Sequence, residues 1–489
     1  MQRLALVPRR SCLRQLFVSC GVEKNYRSRC CRQKNFLHDD VRTERSTNAI
    51  RRHGTRRKLS TAPSFSTLGD TGYGIRRWSR STLSETSDMT NPQHVEAILR
   101  DLSSRLAHQA EILSKLKEII KDLQTGPSSS ASRPSKKESK TAPGTTAKKI
   151  VSTSNYLQPL WWNTRETQKQ QEMRKSICED CFKILKNFDI LHRDTHQLAI
   201  DCQKESIQLQ HVVATMKQIH ARHSTTIENM AELTISIRQL SPPSDFIEMV
   251  ELFLKGRLAC QLLCDHILEA SKGKRGGAIS LETPLDEVIQ DSILEASHLC
   301  EAHYLMSPSV HKVDVANTAL LIRPWLHYAL VEVLKNAMSV TVEQAGAVYQ
   351  QELQLGEIEE DDGSICEPLY VTAEHRSDSQ SIQISIHDQG GGLPPHKNPS
   401  NVFEFASSEK LYDRMDDQQT YAMTRSPLRG LGVGLNQSRL MLRHFGGDLK
   451  LVEREDGHRL ANGVELKKGV STILELGQDL SRLEQVSKT

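Results

Sequence analysis

The sequence predicts an α+β protein, with a helical-bundle N-terminal domain followed by a domain of mixed helix and strand. Three observations carry this. From about Gln168 to Ala270 the apolar residues recur almost only at helical spacing, whereas beyond Gly276-Gly277 helical stretches alternate with segments of period two. A Ser/Pro/Gly/Lys-rich stretch at 125–149, with almost nothing to bury, sets both apart from what precedes them. At 489 residues the chain has room for two or three cores.

Composition excludes several classes. An apolar fraction of 37% with no window approaching eighteen consecutive apolar residues argues against a transmembrane helix. The formal charge of +4 is accounted for by arginines in the first eighty residues, so the remainder is near neutral or acidic and offers no nucleic-acid footprint. The eleven cysteines lack the spacing of a secreted disulfide scaffold and read as reduced thiols. Cys178 and Cys181 form a lone CxxC, read as a helix face rather than a metal site.

Residues 1–70 are arginine- and serine-rich, with Glu23 the first acid, and lack a secretory apolar core. This is the composition of an organellar transit peptide, favouring the mitochondrial matrix over a basic tail of no address and leaving plastid import open. Asn91 then caps a helix that opens with Pro92. Its seam runs Val95, Leu99, Leu102, Leu106, Gln109, Leu113, Leu116, Ile120 and Leu123. About four heptads suit either a coiled coil or an amphipathic helix packing on its own chain over 91–124. After the linker, 165–272 reads as an up-and-down bundle, with Ser241-Pro242-Pro243 breaking its helical run. In the second domain, 280–477, helices are expected at 284–304, 326–349 and 434–445. Strands are expected within 313–322 and at 370–375, 381–388, 448–454 and 470–476.

Three segments of this second domain carry chemistry. Glu332, Lys335 and Asn336 share one face of helix 326–349, presenting a candidate base, an ammonium and an amide oxygen suited to Mg2+. Next, the strand at 381–388 runs into Asp388-Gln389-Gly390-Gly391-Gly392. Its glycines permit close approach of a ligand, and its carboxylate can accept from an exocyclic amine such as that of adenine. Third, Gly430-Leu431-Gly432-Val433-Gly434-Leu435 enters a helix, and alternating glycines at a helix N-terminus expose amides to a phosphate. Each segment alone is also an ordinary solvated stripe or turn; their order is the informative feature.

That order resembles the GHKL superfamily, whose ATP-binding domain is a Bergerat α/β sandwich. The run Glu332-Val333-Leu334-Lys335-Asn336-Ala337, with DQGGGLP and GLGVGL, is most similar to the mitochondrial protein kinases of pyruvate and branched-chain α-ketoacid dehydrogenase. The resemblance implies ATP and Mg2+ as cofactors, Glu332 as general base on a substrate serine, and Lys335 near the phosphates. It implies Asn336 on Mg2+, Asp388 with Thr472 on adenine, and Gly390, Gly392, Gly430, Gly432, Gly434 and Leu435 shaping the nucleotide site, with 393–429 as its lid. It also implies a homodimer acting on the E1 subunit of an α-ketoacid dehydrogenase complex, docking on an E2 lipoyl domain, and a regulatory role for the bundle.

Two departures stand out. Four residues before Glu332, where the pyruvate-type kinases carry histidine, stands Tyr328 as in the branched-chain type, with His327 one place earlier; Leu393-Pro394 looks more like the pyruvate type. The family's opening regulatory helix is not recognisable, which weakens the lipoyl-docking expectation. His192-Arg193-Asp194 copies a triplet of ordinary eukaryotic kinases without the motifs that accompany it, and reads as a charged helix stretch. Two rival readings share the ATP lobe: a histidine autokinase, disfavoured because His223 is followed by Ser224 and Thr225, and a catalytically silent ATP-gated scaffold.

Overall fold

In the computed structural model the described residues are 78–125, 168–204, 208–240, 242–313, 318–355, 366–376, 380–393, 398–399, 401–406 and 431–478. The expected leader at 1–70, residues 126–149 of the expected linker, Gly430 and most of 393–429 lie outside them. All described residues fall in the unit 66–489.

Ser79 opens helix α1 (Arg80–Glu85) with a capping box shared with Thr82. Pro92 is the first residue of α2 (Pro92–Thr125), and Asn91 Oδ1 accepts from the Gln93 amide at 3.0 Å. The apolar seam of α2, from Val95 to Ile120, is buried in one core with α3 (Gln168–Lys204) and α6 (Ser244–Ala270). The seam is therefore covered by this chain's own helices, where the sequence left a self-associating coiled coil open. Helices α4 (Leu209–Arg222) and α5 (Thr226–Arg238) complete the described bundle, and Phe188 of α3 meets Phe253 of α6 at 5.8 Å between ring centroids. A buried polar link ties the α2 face to its entry: Asp101 Oδ2 accepts from Trp78 Nε1 at 2.7 Å and from Arg105 Nε at 2.8 Å. His192 differs from its reading as part of a charged stretch. Arg193 and Asp194 face solvent, but His192 turns into the bundle, its Nδ1 3.0 Å from the Phe188 carbonyl.

The second half follows as β1 (Ser280–Pro284), α7 (Leu285–Tyr304), β2 (Val310–Val313), β3 (Thr318–Leu321) and α8 (Arg323–Leu355). Then come β4 (Leu369–Arg376), β5 (Ser381–His387), a 3-10 turn at Asn401–Phe403, and α9 (Gly434–His444). The last strands are β6 (Asp448–Arg454), β7 (His458–Arg459), β8 (Glu465–Leu466) and β9 (Gly469–Gly477). Five strands form a mixed sheet in the order β2-β4-β5-β9-β6, parallel only between β2 and β4. The register sets Val371 opposite Ile386, Ile384 opposite Leu474, and Leu474 opposite Leu449, so these side chains share one face and pack with Val288, Ile289, Leu330 and Leu334 of α7 and α8. The architecture is α+β, as the sequence predicts.

The strand expected within 313–322 is β3, which pairs antiparallel with β1, while a further short strand just before it, β2, joins the large sheet. Their burial explains the split, since β3 buries Ala319, Leu320 and Leu321 in succession whereas His311 and Lys312 of β2 are exposed. β1 and the β7–β8 hairpin escape a periodicity reading because each is too short to show one. The bundle core extends into the second half through Trp325 of α8, Phe405, Ala406 and Leu431, and Leu440, Met441 and Phe445 in and after α9.

Candidate nucleotide site

Helix α8 carries the first segment. Lys335, only 8% exposed, donates from Nζ to Glu332 Oε1 at 2.6 Å, while Asn336 is exposed on the same helix. The other oxygen of Glu332 faces Gly434, the first residue of α9: a Cβ there would overlap Glu332 Oε2. The first and third segments therefore meet directly, at a position with no side chain to hold the carboxylate off. The turn before α9 includes Gly432 at φ 72°, in the left-handed region, and Leu435 packs half-buried against the sheet-domain core. No acidic side chain stands in the first turn of α9, so its positive end is not neutralised from within the helix.

The second segment lies against the same helix two turns further on. A Cβ at Gly390 would come 2.6 Å from Val340 Cγ2, and one at Gly391 3.1 Å from Gln344 Oε1. Asp388 directly follows β5, 4% exposed, and its Oδ1 accepts from the Gly390 and Val470 amides, each at 3.0 Å. Burial pushes its carboxyl above the ordinary range, opposed by those two amides and by Arg454. The Arg454 guanidinium donates to the Asp388 carbonyl, and Gly469 approaches that carbonyl closely. Thr472 is buried on β9, two residues beyond Val470 on the same strand face, and Gly392 opens the turn at φ 95° beside Glu453 and Lys468. Next to Asp388, His387 has its Nδ1 2.8 Å from Ser471 Oγ, and burial holds its imidazole down to about 4.

Arg454, Val340 and Gln344 carried no spacing signal in the sequence. They reach the site through the pairing of Arg454 with Gly469 across β6 and β9 and through the length of α8.

Tyr328, one turn before Glu332, is packed against the bundle core. Burial, and next the Glu332 charge, push its phenol well up, partly offset by Arg257 of α6. His327 instead points to α7, its Nε2 3.6 Å from Glu295 Oε2, so its imidazole is turned away from Glu332. Within the bundle lies a cavity of about 260 Å³ lined by Gln109, His192, His223, Arg257, Cys260 and Cys264, among others. There the ring of His223 is set edge-on to His192 at 5.0 Å between centroids, and Arg257 donates to its carbonyl at 3.3 Å. Burial above all holds the two imidazoles down, to about 4 for His192 and about 3 for His223. Among the described residues no group of three or more His, Cys, Asp or Glu could hold a metal ion, and no helix is long and apolar enough to cross a membrane.

No protein-family model matches the chain. It is similar to the mitochondrial pyruvate dehydrogenase (acetyl-transferring) kinase of Drosophila melanogaster, 27% identical over 270 residues, covering 50% of this chain and 60% of the relative. With the mitochondrial kinase isozyme 4 of Mus musculus it shares 27% over 261 residues, covering 50% and 58%. With the human isozyme 4 it shares 27% over 274 residues, covering 52% and 60%. The match thus spans less than two thirds of these relatives. The chain is a distant homologue of mitochondrial pyruvate dehydrogenase kinases.

Proposed function

We propose that this chain is an ATP- and Mg2+-dependent protein serine kinase of the mitochondrial matrix, acting as a homodimer on an E1 subunit of the pyruvate or branched-chain α-ketoacid dehydrogenase complex. The observation that carries the reading is the seating of Glu332 against Gly434, which sets a carboxylate beside the N-terminus of α9. Phosphoryl transfer asks chiefly for positioning and charge neutralisation, and this arrangement supplies both within one turn of helix.

The residues present fit a nucleoside triphosphate. Between Glu332 and Val340 the rise of α8 is about 12 Å, a span on the scale of a nucleotide. At one end, Gly432 and Gly434 carry no side chain over the N-terminus of α9, whose amides are proposed to meet phosphate oxygens. At the other, Asp388 and Thr472 are proposed to receive adenine. Asn336 is exposed beside Glu332 and offers one amide oxygen, the share a protein gives Mg2+ when phosphates and water supply the rest. When bound, the ion neutralises phosphate charge. Lys335 holds one oxygen of Glu332 and so fixes the direction of the other. Glu332 takes the proton of the substrate serine as its hydroxyl oxygen bonds to the γ-phosphorus and the bond to the departing ADP oxygen breaks.

The test is incubation of the protein with Mg-[γ-32P]ATP and purified pyruvate or branched-chain dehydrogenase complex. Phosphoserine on one E1 subunit is expected, and its identity assigns the substrate. Acid-labile phosphohistidine on this chain, with no label on E1, would overturn the reading.

A further inference from the structure

Where the bundle meets the phosphate end of the site, one arginine stands out. Arg238, in the last turn of α5, is 17% exposed and reaches across to the segment beside the 3-10 turn. Its Nη1 donates to the Ala406 carbonyl at 3.0 Å, and its Nη2 lies 3.6 Å from Glu404 Oε2. Ala406 has φ 55°, in the left-handed region that a residue with a Cβ rarely occupies. Both of its backbone groups are fixed, the carbonyl by Arg238 and the amide by the Gly432 carbonyl at 3.1 Å. Gly432 is two residues before Gly434, where Glu332 is seated. The same segment is tied to α9 twice more: Asn436 Nδ2 donates to the Phe403 carbonyl at 2.8 Å, and the Arg439 guanidinium lies 4.3 Å over the Phe403 ring. Phe405 and Ala406 are themselves buried in the bundle core.

We propose that Arg238 is a positioning residue for the phosphate cradle: through Ala406 it holds the Gly432–Gly434 turn in the conformation that presents the α9 amides and seats Glu332. The inference rests on the nucleotide-site reading above. Arg238 contacts neither Glu332 nor Asp388 among its hydrogen bonds and ion pairs, so its effect falls on the phosphate end and not on the adenine end. The chain of contacts runs through backbone atoms that side-chain substitution elsewhere leaves intact, and displacement of such a turn by an ångström is enough to cost binding and rate.

The experiment measures binding of Mg-ATP and of adenosine by calorimetry to the full chain, wild type against Arg238→Ala and Arg238→Lys, with ligand-free melting temperatures alongside. In Arg238→Ala, Mg-ATP affinity is expected to fall about tenfold while adenosine affinity and the ligand-free melting temperature hold. Lysine, keeping the charge and one donor, is expected to fall between. Wild-type Mg-ATP affinity in Arg238→Ala, or an equal loss for adenosine, overturns the inference while leaving the nucleotide site standing. If Arg238→Ala does not fold, Arg238→Lys decides alone, and wild-type Mg-ATP affinity there overturns it. Failure of the wild type to bind Mg-ATP is the distinct result that refutes the site itself.

Discussion

Glu332 has its two carboxylate oxygens committed in different directions: Oε1 accepts from Lys335 Nζ at 2.6 Å on the same helix, and Oε2 lies against the backbone of Gly434 at the start of another. An ion pair three residues apart on one helix is ordinary. What makes this pair informative is burial of the lysine, 8% exposed, together with a neighbour that has no side chain to exclude the carboxylate.

Substituting Gly434→Ala places a methyl group where Glu332 Oε2 sits. The atom that must give way is the tip of a flexible side chain, so the fold survives, and φ at Gly434 is not in the left-handed region. Displacing the carboxylate proposed as the base is another matter, since misplacement by about 1 Å costs on the order of a hundredfold in rate. Thermal melting is expected to stay near wild type while kcat for phosphate transfer collapses; a variant of normal rate would remove Gly434 from the account.

Asn336 is exposed, so its loss leaves packing alone. Asn336→Ala is expected to raise the Mg2+ concentration for half-maximal nucleotide binding roughly tenfold, the scale of one lost polar contact to a charge. Metal-free nucleotide binding is expected to be unaltered. A Mg2+ titration followed by fluorescence of a nucleotide analogue reads both.

Three imidazoles held down to about 4 mainly by burial, those of His192, His266 and His387, make stability fall in acid. Their folded values lie below the ordinary 6.5 of the unfolded chain, so between about pH 6.5 and 4 the unfolded state binds more protons and gains on the native state as pH drops. Asp265, pushed up to about 6 by burial, works in the opposite sense over most of that range. Each imidazole is worth on the order of 1 kcal/mol near pH 5.5. His192→Gln is expected to flatten the decline of melting temperature between pH 7 and 5; an unchanged slope would contradict a neutral, buried His192.

How much of this was legible beforehand follows physical lines. Helices at 285–304, 323–355 and 434–444 and the strands 369–376, 381–387, 448–454 and 469–477 announce themselves because each is long enough to show its period against one buried face. The helix 92–125 showed its apolar seam but not its partner, since Val95 to Ile120 would look the same facing another copy or facing α3 and α6. The candidate residues on the glycine-bearing motifs can be picked out from the sequence because backbone freedom and charge are local properties. Arg238, Arg454 and Val340 were not, because each acquires its role from a residue far away in sequence: Ala406, Asp388 and Gly390 respectively. The inward turn of His192 is hidden from the sequence for the same reason, being set by packing against Phe253 and His223 rather than by its charged neighbours.

The central claim is that Glu332 is the base of a phosphate-transferring site. It is tested most directly by Glu332→Gln, an isosteric change that keeps a hydrogen-bonding side chain between Lys335 and Gly434 and removes the capacity to take a proton. Measured side by side, Mg-ATP affinity is expected to remain within a few-fold of wild type, while transfer of 32P from Mg-[γ-32P]ATP to E1 serine falls by at least about a hundredfold. Transfer by Glu332→Gln at the wild-type rate, with normal Mg-ATP binding, would contradict the account.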